Sequence, residues 1–115
     1  MIEPRELADM LMDLVAEKKA SRIVLLDLQE VSLIADFFLI CSGESSRQLK
    51  AITDEVLEKV SVHGLAPRRI EGTAESGWIL LDFSTVVLHI FDLEQREFYQ
   101  LERLWNHART LAVMP

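Results

Sequence analysis

From Gly77 to Phe91 the chain reads Gly-Trp-Ile-Leu-Leu-Asp-Phe-Ser-Thr-Val-Val-Leu-His-Ile-Phe, apolar almost throughout and broken only at Ser84-Thr85. Two apolar runs of strand length around a polar pair predict a β-hairpin turning at Ser84-Thr85. A hairpin buried on both faces has little use for Asp82 and His89. A hairpin wet on one face should not carry Trp78, Leu80 and Val87 there. The pattern predicts a sheet with one face for its own core and a second, mostly apolar face that awaits a partner.

Successive strand residues point to opposite faces. Trp78, Leu80 and Asp82 therefore share one face, and Ile79, Leu81 and Phe83 the other. In the partner strand Val87, His89 and Phe91 oppose Val86, Leu88 and Ile90. The wholly apolar sets are expected to meet helices, which puts Asp82 and His89 on the outer face. Asp27, with Ile23 and Leu25, is expected to join them there. The competing reading makes Trp78 ordinary core beneath the last helix.

Around the hairpin, Pro4 suits a first helical turn. Leu7, Met10, Leu11, Leu14 and Val15 follow at helical spacing, which predicts a helix ending near Lys18-Lys19. Ile23–Leu28 and Asp36–Ser42 read as strands, and their short connection favours an antiparallel pair. Ser45 and Gln48 have the spacing of a capping box, opening a helix over 45–62 that Gly64 can terminate. Ala66–Ile70 reads as a short strand near an edge because of Pro67, and Glu71–Gly77 as a glycine-bounded loop. Glu94–Leu111 reads as a final helix, with Phe98, Leu101, Trp105, Ala108 and Ala112 spaced for one face. The residues after it carry no signal. The order α-β-β-α-β-β-β-α predicts an α+β (mixed α/β) two-layer domain over 1–115, a roughly five-stranded mixed sheet with helices mainly on one face.

Composition narrows what such a face can meet. A chain of 115 residues is one domain's length, and it can bury roughly two-thirds of its unfolded surface. The net charge of −7 disfavours direct DNA binding, which needs Lys and Arg to neutralise phosphates, and suits a basic protein partner. No apolar run approaches the roughly 20 residues that span a bilayer, and the N-terminus lacks a signal-peptide pattern. The single cysteine fits a reducing compartment, so a cytoplasmic location is expected.

Enzyme chemistry finds little support. His63, His89 and His107 lie far apart without metal-ligand spacing, and Cys41 lacks a second cysteine, so no metal or cofactor is expected. Cys41 and His89 could form a nucleophile and base, but a cysteine inside an apolar strand usually behaves as a small hydrophobe. Ser42-Gly43-Glu44-Ser45-Ser46 before a helix is similar to a phosphate-binding turn of nucleotidyltransferases. The metal-binding Asp-x-Asp pair is missing, and so are the lysine and second glycine of a P-loop.

Several segments together carry a resemblance: Ala35-Asp-Phe-Phe-Leu-Ile-Cys-Ser-Gly43, Ser45-Ser-Arg-Gln48, Glu71-Gly72, Gly77-Trp-Ile-Leu-Leu-Asp82, Val86-Val-Leu-His-Ile-Phe91 and Tyr99-Gln-Leu-Glu-Arg-Leu-Trp105. In this order they resemble the ribosomal silencing factor family, RsfS or Iojap, from about residue 5 to residue 108. The turn before Val86 departs from the Gly-Asp common in that family. The resemblance implies a non-enzymatic protein on a core distantly like a nucleotidyltransferase, commonly a homodimer. It implies binding to the large ribosomal subunit through a uL14-type ribosomal protein, which blocks joining of the small subunit and represses translation when nutrients are scarce. Trp78, Leu80, Asp82 and His89 are then expected to dock, with Asp82 pairing a basic residue of the partner, and Tyr99 and Glu102 to extend the patch. The alternatives are a dimerisation or adaptor module and a degenerate nucleotide binder.

Overall fold

The structure, a computed structural model, describes residues 2–115. The elements run α1 (Pro4–Glu17), β1 (Ser21–Asp27), β2 (Phe37–Gly43), α2 (Ser46–Val62), β3 (Arg69–Thr73), β4 (Trp78–Asp82), β5 (Val86–Asp92), α3 (Leu93–Tyr99), α4 (Leu101–Leu104) and β6 (Arg109–Met114). Among the described residues the strands form one mixed sheet of six, in the order β3-β4-β5-β2-β1-β6. The central pair β2 and β5 is parallel, and the chain between them runs through α2, β3 and β4. The hairpin β4–β5 and the pair β1–β2 are antiparallel, as their short connections demand.

The two long helices lie on one face. α1 buries Leu7, Leu11, Leu14 and Val15, and α2 buries Leu49, Ile52, Val56 and Val60. Both stripes meet Ile79, Leu81, Val86, Leu88 and Ile90 of the hairpin, with Leu39 and Cys41 of β2. The start of α2 is secured by Ser45, whose Oγ accepts the Gln48 amide N–H at 3.1 Å. Gln48 does not close the capping box on Ser45. Its Oε1 accepts the Glu44 N–H at 2.7 Å, while its Nε2 donates to the carbonyls of Lys18 and Lys19 at 3.2 and 3.0 Å. One side chain thus ties the start of α2 to the end of α1.

The structure departs from the sequence expectations in three places. The edge strand is Arg69–Thr73, three residues later than Ala66–Ile70, so Glu71 and Gly72 belong to the sheet. Ile23 and Leu25 pack under the helices, while Leu26 and Leu28 join the outer cluster. Pairing fixes this: Leu25 lies beside Leu39, itself beside Leu88, whereas Val24 lies beside Ile40 and then His89. Asp27 therefore does not join Asp82 and His89; it sits at the sheet's rim, accepting from the Gln29 amide and from Arg109 Nη2.

The third departure is the largest. The last helix stops at Tyr99 because Gln100 turns left-handed at φ 45°, a conformation costly for a residue with a side chain. The short α4 follows, and Arg109–Met114 form β6 along the free edge of β1. Because the chain bends back here, α3, α4 and the residues after them cover part of the face opposite α1 and α2.

Gly72 makes the β3–β4 pairing possible. It takes φ 82°, and a Cβ there would overlap the carbonyl oxygen of Trp78. Gly72→Ala is expected to lower stability by about 2 kcal/mol, through an unfavourable φ and a displaced edge strand. Urea denaturation of the variant checks this, and an unchanged midpoint would contradict it.

Candidate docking face

The face opposite α1 and α2 is built from alternate residues of the central strands. Along one row Leu80 of β4 lies beside His89 of β5, and His89 beside Ile40 of β2. In the neighbouring rows Trp78 pairs with Phe91, and Asp82 with Val87. The hairpin faces divide as the alternation requires.

Aromatic rings run across this face as a band. The Trp78 indole lies on Phe91, centroids 4.9 Å apart and planes 28° from parallel. Tyr99, at the end of α3, approaches the same indole to 4.5 Å. Beyond Phe91, His89 meets Phe38 at 4.5 Å, and Phe38 meets Trp105 edge-on at 5.6 Å. Trp78 and Leu80 remain half-open to solvent, and Tyr99 is 44% exposed. With Glu71, Gly72 and Ser76 they line a shallow cleft of about 280 Å³. Phe98 and Leu104 stand exposed on α3 and α4. The helical spacing placed Phe98 in the core stripe of an unbroken helix; the turn at Gln100 removes it from that stripe.

Three predicted contacts are thus brought together: Trp78, Leu80 and Tyr99. Two others lie beneath the surface. Asp82 is only 4% exposed and is occupied within the chain. Its Oδ2 accepts from Arg68 Nε at 3.3 Å and Arg69 Nη2 at 3.4 Å, and its Oδ1 from the Ser84 amide at 2.7 Å. The arginines that were expected from a partner are this chain's own, and the third bond holds the hairpin turn in place of the absent Gly-Asp. His89 is 3% exposed, so it too is no direct contact. Burial alone pushes its imidazole down to about 4, leaving it neutral near pH 7. Its Nδ1 accepts the Trp78 Nε1–H at 3.2 Å.

Glu102 lies elsewhere, on the wall of a polar cleft with Arg22, Arg96, Glu97, Gln100 and Arg103. Its Oε2 accepts from Arg96 Nε at 3.0 Å and Nη2 at 2.7 Å, and Arg96 Nη1 donates to Ser42 Oγ at 2.8 Å. Partial burial favours the neutral carboxyl, but the Arg96 hydrogen bonds, a backbone amide and the charges of Arg96 and Arg22 together outweigh it, and the net shift is downward. Arg96, 2% exposed, was not singled out by the sequence: one arginine in a charged helical stretch carries no mark of burial.

The catalytic readings lose their geometry. Cys41 and His89 occupy opposite faces of the sheet, since Cys41 pairs with Ile90 while His89 pairs with Ile40. Burial drives the Cys41 thiol up to about 12, with Arg96 opposing weakly, so it carries no thiolate at neutral pH. The Ser42-Gly43 turn is filled from within. Arg96 holds the Ser42 hydroxyl, and even a Cβ on Gly43 would stand 2.9 Å from the Leu49 side chain. Among the described residues no group of three or more His, Cys, Asp or Glu is arranged to hold a metal. Among the described residues no helix is long and apolar enough to cross a membrane.

Fold and face together define a small mixed α/β protein whose distinctive surface is a half-open aromatic face rather than a catalytic pocket. The chain belongs to the family described as ribosomal silencing factor during starvation, which it matches over residues 1–114 and which is not a known enzyme family. The ribosomal silencing factor RsfS of Halalkalibacterium halodurans is 40% identical over 93% of this chain and 92% of its own length. A mouse relative, mitochondrial assembly of ribosomal large subunit protein 1, is 35% identical over 85% of this chain but only 44% of its own. A crystal structure from Chromobacterium violaceum superposes with a TM-score of 0.87 at 25% identity, covering 97% of this chain and 92% of that one. One from Bacillus halodurans gives 0.82 at 37% identity, covering 94% and 98%.

Proposed function

We propose that this chain docks on the large ribosomal subunit through its Trp78–Leu80–Tyr99 face, on a basic ribosomal protein of the uL14 type, and bars the small subunit from joining. Translation falls as a result when nutrients are scarce. The observation that carries the reading is the half-open aromatic cleft, in a chain that belongs to the silencing-factor family. Trp and Tyr partly exposed in a cleft are the side chains that most often anchor interfaces. The net charge of −7 complements a basic partner and speeds encounter with it.

Size is sufficient for exclusion. A standard interface takes about 800 Å² from each partner, a small part of the 6696 Å² that the chain exposes. The remaining body, with extents of 34 × 34 × 24 Å, stands in the path of the other subunit. The protein works in the cytoplasm, where ribosomes are. A homodimer that used the same face would have to open before docking.

Purified large subunits pelleted with the protein test the reading. Co-sedimentation and reduced joining of added small subunits are expected. Failure to co-sediment, or joining at the normal level with the protein bound, would overturn it. A dimer seen by light scattering that persists on the subunit would place the self-contact on another face.

A further inference from the structure

We infer that His89 is a positioning residue for docking: its Nδ1 fixes the angle at which the Trp78 indole is presented to the partner. The inference rests on the docking reading above and gives a role to a residue that the fold keeps out of the partner's reach.

Three observations support it. First, His89 has little reason to be a histidine on packing grounds. Its neighbours across the strands are Leu80 and Ile40, and those along its own strand on the same face are Val87 and Phe91. A leucine would suit such surroundings at no polar cost. Second, its Nε2 is the one buried side-chain polar atom among the described residues without a hydrogen-bond partner. An imidazole whose Nδ1 accepts a bond carries its proton on Nε2, so an N–H donor is left unpaired, in a ring that packs against Phe38 at 4.5 Å between centroids. Unsatisfied buried polar atoms are uncommon in folded proteins.

Third, the other nitrogen makes the one directional contact to the indole. Phe91 and Tyr99 hold the Trp78 ring by stacking and tilted contact, which tolerate rotation in the ring plane. An indole has one N–H, and here it points at His89 Nδ1 at 3.2 Å. That bond selects which edge of the ring is buried and which is left to the cleft. Protonation of His89 would remove the acceptor, so the neutral state imposed by burial is the one that serves.

Substitution of both partners separates positioning from simple packing. His89→Leu keeps the volume and deletes the acceptor; His89→Asn keeps an acceptor close to where Nδ1 lies; Trp78→Phe deletes the donor. The readouts are the Trp78 indole N–H resonance in proton–nitrogen correlation spectra and affinity for purified large subunits. With His89→Leu the resonance is expected to move upfield, and affinity to fall about tenfold, the size of one net hydrogen bond. With His89→Asn both should stay near the wild type. Trp78→Phe should weaken binding about as much as His89→Leu, and the double variant no further. An unmoved indole resonance in His89→Leu, or independent losses in the double variant, would overturn the inference. Should His89→Leu not fold, His89→Val, which also deletes the acceptor, with and without Trp78→Phe measures the same coupling: losses that add mean there is none. If Trp78→Ala binds as well as the wild type, the docking face itself is misassigned and the role of His89 in docking falls with it. If Trp78→Ala fails to bind and His89→Leu binds normally, only the positioning role is lost.

Discussion

Lowering the pH from 7 to 4 is expected to remove about 3 kcal/mol of folding stability through His89 alone. Its imidazole titrates at 6.5 in the unfolded chain and at about 4 in the fold, because burial disfavours the charged ring. The sign follows from proton counting. Above pH 6.5 both states are neutral and the full stability is present. Between 6.5 and 4 the unfolded chain takes up a proton that the folded chain refuses, so stability falls as the pH falls. Below 4 both states are charged and the loss levels off. At about 1.4 kcal/mol for each pH unit of displacement, the effect is a large share of the 5–15 kcal/mol typical of a domain. Urea denaturation at several pH values measures it, and His89→Leu should flatten the curve over that window. An equal loss in the variant would assign the acid sensitivity to other groups. Glu102 acts lower down: its carboxyl lies below the ordinary range, so its contribution is present at neutral pH and goes as pH falls through its own titration.

Arg96→Met is expected to cost about 3 kcal/mol, the lower end of the range for breaking a buried pair. The side chain is almost wholly enclosed and spends three N–H groups on Glu102 and Ser42. Methionine fills much of the space, but leaves the Glu102 carboxylate and the Ser42 hydroxyl without that donor. Glu102 is one-third exposed, and water recovers part of the loss, which is why the lower end applies. Because Arg96 joins α3 to the end of β2 and to α4, the variant should also loosen Tyr99 against Trp78. Chemical denaturation gives the stability change. Replacing Glu102 by Met in the same chain should restore part of it, since two apolar residues leave no charge stranded. No recovery in the double variant would mean that Arg96 acts mainly by packing.

Much of the fold was legible where one period governs a long segment. Leu7 to Val15 and Leu49 to Val60 repeat at helical spacing, and both helices stand where that spacing put them. The hairpin's alternation separated Trp78 and His89 from Ile79 and Leu88 correctly. Legibility failed where two periods compete. Leu101, Trp105, Ala108 and Ala112 fit a helix, yet Arg109–Met114 serves equally as a strand once β1 offers an open edge. Nothing local announces that Gln100 turns left-handed, between the buried Arg96 and Leu101. The face of β1 was misread because Asp27 was grouped with the other polar residues, while pairing through β2 sets the parity. At the candidate site, which residues share a face was legible. Which of them are buried was not, because that depends on Arg68, Arg69 and Trp78 closing over Asp82 and His89.

The pairing of β1 with β6 joins residues 21–27 to residues 109–114. Seen in the order of synthesis, an early strand waits for one made much later. While the chain is being made, β1 can pair with β2 on one side only, and its other edge is an unpaired row of amides and carbonyls open to other strands. β6 covers that edge only once residues 109–114 have left the ribosome, so a nascent chain stalled short of residue 109 exposes it for as long as it stays attached.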